Sequence, residues 1–187
     1  MAQIDKKPRV PKYVKKLLAR DENGLVKIDL GGGSNPQPGF INIDYRKLKT
    51  VDIVQDLEQA PWPLPECCAT LIVAGHLVEH INPAKGGFIK FMDECWRILK
   101  YGGQMMITTP YAGSRGYWTD PTHCNPCTIE TWAYFDPMHP LKAYSIYKPK
   151  PWAITKGFYR MDGNMEVLLT KRRIDKSYGI SEVNNGK

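Results

Sequence analysis

The stretch VKIDLGGGSNPQPGFINID, Val26 to Asp44, carries the most structural information in this chain. A short apolar strand, 26–30, runs straight into Gly31, Gly32 and Gly33, and a second short strand, 40–43, ends on a carboxylate, Asp44. Glycine has no Cβ and accepts positive φ, so a ligand can come close to bare peptide there. A carboxylate at the tip of the neighbouring strand can accept hydrogen bonds from both hydroxyls of a ribose. The pair points to a nucleoside-containing cofactor held at the carboxyl ends of parallel strands.

A dinucleotide does not suit the spacing. That fingerprint requires G-x-G-x-x-G opening a helix, with the acid about 20 residues further on. Here Pro36 stands at the third glycine position, Pro38 follows, and Asp44 comes 13 residues after Gly31. Two prolines leave no good helix N-terminus for a pyrophosphate. No Gly-Lys-Ser or Gly-Lys-Thr follows the glycines, which excludes a P-loop. A nucleoside without phosphates fits better.

Further along, Asp56-Leu57 lies in VDIVQDLEQAPWPLPE (51–66), LIVAGHLVEHI spans 71–81, and FIKFMDECWRILKYGGQMMITTPY spans 88–111. With Asp29-Leu30-Gly31-Gly32-Gly33 and Asp44, these segments resemble, in order, the motifs of the class I S-adenosylmethionine-dependent methyltransferases. The resemblance covers about residues 26–112, with weaker echoes to residue 170. It implies an α/β fold: a doubly wound, Rossmann-like, mostly parallel sheet with an antiparallel last strand. It also implies S-adenosylmethionine as cofactor. Asp29 belongs to the glycine-rich motif; Gly31, Gly33 and Asn35 would face the methionyl part, Asp44 the ribose, Asp56 and Leu57 the adenine. Gly75 and His76 would line the pocket after the fourth strand. The usual member has a full helix between its first two strands, whereas about ten residues, Gly31 to Phe40, make that crossing here. The likeness is therefore to a compact subgroup in which Ser34-Asn35-Pro36-Gln37-Pro38 replaces the helix. Ser34, Asn35 and loop N–H groups are candidates to hold the methionine carboxylate.

With 187 residues the chain is expected to be one domain with a proper core. We divide it into a basic arm with a short helix (1–20), a methyltransferase-like domain (21–171) whose residues 110–160 form a substrate lid, and a polar tail (172–187). No run of about 18 apolar residues occurs, so no membrane association is expected. The basic N-terminus lacks a signal peptide's apolar region, and five cysteines form no disulfide framework; both suit the cytoplasm. Residues 1–20 hold seven Lys/Arg against one Asp, residues 142–160 hold five Lys/Arg and no acid, and residues 21–141 hold nine basic and fourteen acidic residues. Basic flanks around an acidic centre suit a polyanionic partner such as RNA or a nucleotide conjugate, or simply a solvated basic face. No repeat divides the chain, and no pattern sets an oligomeric state.

Helical spacing predicts a short helix over 11–20, with Tyr13, Val14, Leu17 and Leu18 on one face, and a longer one over 84–100 closed by Gly102-Gly103. Further strands are expected at about 51–55, 70–75, 104–109 and 165–171. Residues 110–160 read as irregular, with a short helix near 128–135, and carry eleven of the twenty aromatic residues. Such rings either contact the cationic sulfonium or pack the segment on itself.

His76-Leu77-Val78-Glu79-His80 matches H-x-x-E-H, a zinc-hydrolase motif that needs a long helix. Here it follows a strand directly and Asn82-Pro83 comes just after it, so a strand-end turn is expected and no metal is assigned. Glu79 and His80 would reach the reaction centre or cap the turn. His123-Cys124-Asn125-Pro126-Cys127 offers one C-x-x-C without a second pair for structural zinc. Asp120-Pro121-Thr122-His123 resembles a stretch in relatives of the compact subgroup. Its histidine could take a proton from an attacking oxygen or nitrogen, oriented by Asp120. Tyr111 is a lid contact. The acceptor is expected to be a small molecule or nucleotide-like. Two rivals are a non-catalytic nucleoside- or RNA-binding module and a zinc hydrolase.

Overall fold

The computed structural model describes residues 8–19, 25–175 and 178. Helix α1 (Lys12–Leu18) follows Pro11 and buries Val14, Leu17 and Leu18. Tyr13 does not share that face: it is 52% exposed, because one short helix buries only a narrow stripe. Strands β1 (Val26–Leu30), β2 (Ile41–Asp44), β3 (Ile53–Val54) and β4 (Ala69–Gly75) follow without an intervening helix. Then come α2 (Gly87–Ile98), β5 (Leu99–Pro110), short helices α3 (Arg115–Thr119) and α4 (Tyr144–Tyr147), and strands β6 (Trp152–Tyr159) and β7 (Asn164–Lys171).

The strands form one sheet in the order β3-β2-β1-β4-β5-β7-β6. Neighbours from β3 through β5 are parallel, and β7 runs antiparallel to both β5 and β6. This is the Rossmann-like, mostly parallel sheet with an antiparallel last strand. The central strands β1 and β2 are almost wholly buried, as parallel strands covered on both faces must be. In β7 buried residues alternate with partly buried ones, marking one face on the core.

Two expectations need correcting. Residues 152–159 are not irregular lid but the edge strand β6. Its outer half is exposed and a register shift falls between Ile154 and Lys156, so no two-residue apolar rhythm marks it. The glycines after α2 do not cap it either. The helix ends at Ile98, Leu99 already pairs with Ala69, and Lys100 to Gly103 bulge out before Gln104 pairs with Leu71. Gly102 sits at φ +75°, and a Cβ on Gly103 would lie 2.8 Å from the Lys100 carbonyl.

The proline-rich loop before β4 is pinned to α2. Glu94 accepts from the Trp62 N–H at 2.7 Å and from the Arg97 fork, and Arg97 donates onward to the Leu64 carbonyl. Trp132 and Phe135, in a 3-10 turn at 129–134 and its end, meet Phe88 with ring centroids 5.9 and 5.6 Å apart. Much of the aromatic wealth of 111–160 is therefore core. Among the described residues no helix is long and apolar enough to cross a membrane.

Candidate cofactor and acceptor site

After β1 the chain steps outward through β2 and β3, then returns to lay β4 on the other side of β1. Such a reversal opens a crevice at the carboxyl ends of the strands. A cavity of about 730 Å³ lies there, bordered by Gly31, Asp44, Asp56, Leu57 and His76, a volume within the usual range for cofactor sites. Asp29, Gly33, Asn35 and Gly75 do not border it.

Asp29 braces the loop instead. It is 5% exposed, and its Oδ2 accepts the Gln37 N–H at 2.7 Å, stapling the short crossover that stands in for a helix. Burial pushes its carboxyl above the ordinary value, partly offset by that N–H. The central glycine, Gly32, leaves no room for a side chain: a Cβ there would lie 2.7 Å from both Asn42 Oδ1 and Asp29 Oδ2. Asn35 is exposed and its N–H closes a turn on the Gly32 carbonyl. Gly75 ends β4 in register with Thr108.

Asp44 is 2% exposed yet borders the cavity. Its carboxylate accepts the Gly33 N–H at 3.1 Å and the Arg46 N–H at 2.8 Å. The Arg46 guanidinium lies on it as a fork, Nε and Nη2 both at 3.1 Å. Burial alone would raise this carboxyl; Arg46 and the two backbone donors outweigh it and hold it below the usual value. Arg46, absent from the sequence reading, thus covers the hydrogen-bonding positions a ribose diol would use. Asp56 is exposed and its Oδ1 caps the Glu58 N–H at 2.9 Å, while Leu57 is buried beside it.

A second, open hollow of about 580 Å³ shares His76 and His80 with the first and reaches Asp120 and His123. His76 leaves β4 with φ +51°, and a 3-10 turn, Val78–His80, follows, which is the strand-end turn expected for H-x-x-E-H. The turn drives Glu79 inward to 0% exposure. Its Oε2 accepts the Thr109 hydroxyl at 2.9 Å; its Oε1 has no hydrogen-bond partner among the described residues and faces His76 Nδ1 at 3.4 Å. That pairing raises the His76 pKa.

The Asp120–Cys127 segment is stitched onto this turn. The N–H groups of Cys124 and Asn125 donate to the Glu79 carbonyl, and Asn125 Nδ2 donates to the Val78 carbonyl at 2.9 Å. His123 is thereby brought against His80, ring centroids 4.7 Å apart. One ligand atom from each of Glu79, His80 and His123 lies within 4.8 Å of the others.

Each of these two histidines has a defined tautomer when neutral. His123 Nδ1 is 2.7 Å from the Tyr117 carbonyl, which can only accept, so Nδ1 carries the proton. Ser114, capping α3 through the Tyr117 N–H, holds that carbonyl in place. Thr122 gives its hydroxyl proton to Asp120 Oδ1 at 2.7 Å, so His80 Nδ1, 3.1 Å from Thr122 Oγ1, is the donor in that contact. Both rings keep their lone pair on Nε2. Asp120 is therefore not the orienter of His123: its Oδ2 is 3.9 Å from Nε2, beyond hydrogen-bond reach, and the ring is held from its other side. Asp120 orients His80 through Thr122. Tyr111 packs edge-on against Tyr159, centroids 4.8 Å apart, and borders neither cavity.

All five cysteines are free thiols. Cys127 is buried, which pushes its thiol up to about 12, and neither Cys124 nor Cys127 belongs to the histidine–glutamate trio. Of the basic flanks, residues 1–7 and 20 lie outside the described residues, as does most of the tail, 176–177 and 179–187.

No protein-family model matches the sequence, and no curated protein sequence matches it. Solved structures do match. A S-adenosylmethionine-dependent methyltransferase from Archaeoglobus fulgidus has a TM-score of 0.54 at 17% identity, over 86% of this chain and 94% of that one. The 16S rRNA (adenine(1408)-N(1))-methyltransferase of Catenulisporales acidiphilia has 0.54 at 9%, over 90% and 98%. A S-adenosylmethionine-dependent methyltransferase from Mesorhizobium loti has 0.50 at 11%, over 78% and 90%. The fold is that of the class I S-adenosylmethionine-dependent methyltransferases.

Proposed function

We propose that this chain transfers the methyl group of S-adenosylmethionine to an oxygen or nitrogen of an acceptor seated in the hollow between His76 and His123. One observation carries the reading: a buried carboxylate, Asp44, borders a cavity beside the glycine loop, and that cavity runs into a second hollow rich in histidine. The ribose diol would replace the Arg46 guanidinium on Asp44. Arg46, half exposed, is then free to meet the methionine carboxylate, alongside Ser34 and Asn35.

The reaction is an in-line displacement. The acceptor's lone pair forms the new bond to the methyl carbon, the S–C pair returns to sulfur, and S-adenosylhomocysteine leaves. The sulfonium is already activated, so the protein's part is orientation, exclusion of water and removal of one proton. Nε2 of His123 is the proton acceptor; Tyr117 fixes its tautomer, and Asp120 acts on His80. The basic stretch with Lys142, Lys148, Lys150, Lys156 and Arg160 favours a nucleotide-like or RNA acceptor over a neutral small molecule. Free thiols suit the cytoplasm.

The test is calorimetry of S-adenosylmethionine with Asp44→Ala. Losing the diol's hydrogen bonds should weaken binding by about 1.5–3 kcal/mol, roughly 10- to 150-fold. Unchanged affinity would reject the ribose assignment. Tight binding in the wild type with no methyl loss across small-molecule and RNA pools would favour a non-catalytic nucleoside-binding module instead.

A further inference from the structure

We propose that Glu79, His80 and His123 are a binding site for one divalent transition metal ion, zinc by its donor set, opening on the acceptor hollow. Three features carry this. First, a ligand atom from each side chain already lies within 4.8 Å of the others. Tetrahedral zinc at about 2.0–2.1 Å from each would bring them to about 3.3 Å.

Second, both imidazoles are pre-set as ligands. Nδ1 of His123 is committed to the Tyr117 carbonyl and Nδ1 of His80 to Thr122, which is itself held by Asp120. A metal-binding histidine characteristically donates its other ring N–H to a carbonyl or a carboxylate-held group, which fixes the ring and raises its basicity. Here both rings do so, leaving Nε2 without a hydrogen bond among the described residues; Asp120 Oδ2 faces that of His123 at 3.9 Å.

Third, Glu79 has 0% exposure and a buried Oε1 with no hydrogen-bond partner. A buried carboxylate oxygen without a donor is costly. His76 Nδ1, at 3.4 Å on a 60% exposed side chain, pairs with this oxygen without reaching good hydrogen-bond geometry. A cation between Glu79 and the two Nε2 atoms would satisfy it. The neutral-imidazole, carboxylate donor set suits zinc.

Three protein ligands leave a fourth position free, the pattern of catalytic and not structural zinc. On the methyl-transfer reading, that position takes an acceptor hydroxyl. An ion held there would lower the hydroxyl's pKa, so that its proton would pass to solvent while the oxygen takes the methyl group and the S–C pair returns to sulfur. His123 then serves as ligand, and the ion takes over the proton-removing task assigned above to its Nε2. Only this role rests on the methyl-transfer reading; the site itself does not.

The experiment titrates the chelator-stripped full chain with zinc against a chromophoric chelator, and repeats the titration with cobalt(II) followed by visible absorption. We expect one zinc per chain and cobalt bands of a low-coordinate nitrogen–oxygen site. His80→Ala, at an exposed position and so safe for folding, and His123→Ala should each weaken zinc at least tenfold. Thr122→Val, removing only the hydroxyl that holds His80, should weaken it by about tenfold. His139→Ala and Cys124→Ala should leave zinc affinity unchanged. Absence of stoichiometric zinc, wild-type affinity in His80→Ala and His123→Ala, or loss only in Cys124→Ala would each overturn the site. Cofactor affinity is measured separately on the same samples. Zinc bound without S-adenosylmethionine binding would keep the site and remove the methyl-transfer reading; the converse would do the opposite.

Discussion

Replacing Gly32 by alanine inserts one methyl group between two hydrogen-bonded side chains beside the glycine loop. The new Cβ would lie 2.7 Å from Asn42 Oδ1 and 2.7 Å from Asp29 Oδ2, and ordinary contact begins at 3.4 Å, so each oxygen must retreat by about 0.7 Å. Neither is free to do so. Asp29 Oδ2 holds the Gln37 N–H at 2.7 Å, and Asn42 Nδ2 holds the Gly33 and Thr50 carbonyls at 3.0 and 2.9 Å. Moving Asp29 forfeits a charge-assisted bond of about 1.5–3 kcal/mol, and moving Asn42 strains two neutral bonds of about 0.5–1.5 kcal/mol each. We expect Gly32→Ala to destabilise the fold by about 2–4 kcal/mol and to weaken nucleoside binding, since the loop N–H groups shift with it. Equilibrium urea unfolding, followed by fluorescence of the buried tryptophans, reads the first effect. Gly39→Ala is the control: its φ is +80° but nothing lies within 4 Å of the new Cβ, so it should cost only about 1 kcal/mol of backbone strain. A Gly32→Ala variant no less stable than Gly39→Ala would refute the reasoning.

Arg46→Ala removes the group that competes with a ribose for Asp44. Adenosine, which has no carboxylate, should bind several-fold tighter to this variant, while S-adenosylhomocysteine should not share the gain; calorimetry showing unchanged or weaker adenosine binding would reject the competition. Asp93 offers a pH test away from the site. Burial pushes its carboxyl up to about 6, against the partial relief of the Lys150 N–H. The folded chain therefore holds this proton more tightly than the unfolded chain. Stability from it is complete below the ordinary carboxyl pKa near 4 and is lost as pH rises through about 6, by at most about 3 kcal/mol. Asp93→Asn should abolish that fall, since its amide oxygen can still accept from Lys150. Urea midpoints at pH 4.5 and 7.5 that differ equally in the two proteins would show that Asp93 does not carry it.

The glycine-loop end of the candidate site was legible because it is local. Strand, glycines, strand and Asp44 are consecutive, so the pattern lies within one short stretch of sequence. The same logic explains the failure at β6. An exposed edge strand with a shifted register owes its pairing to β7, not to its own pattern, so Trp152 to Tyr159 read as lid. Asp29 and Arg46 were near at hand in sequence, but whether a carboxylate braces a loop or meets a ligand depends on which N–H or guanidinium reaches it. The chemistry end was hidden more deeply. Glu79 and His123 stand 44 residues apart and meet only because backbone N–H groups of Cys124 and Asn125 close on the Glu79 carbonyl. The amino-acid order thus specified the sheet and the crevice proposed to hold a nucleoside, through burial and periodicity within single segments. Long-range packing and hydrogen bonding alone chose the partner of each polar side chain, and with it the tautomers of His80 and His123 and the orphaned oxygen of Glu79.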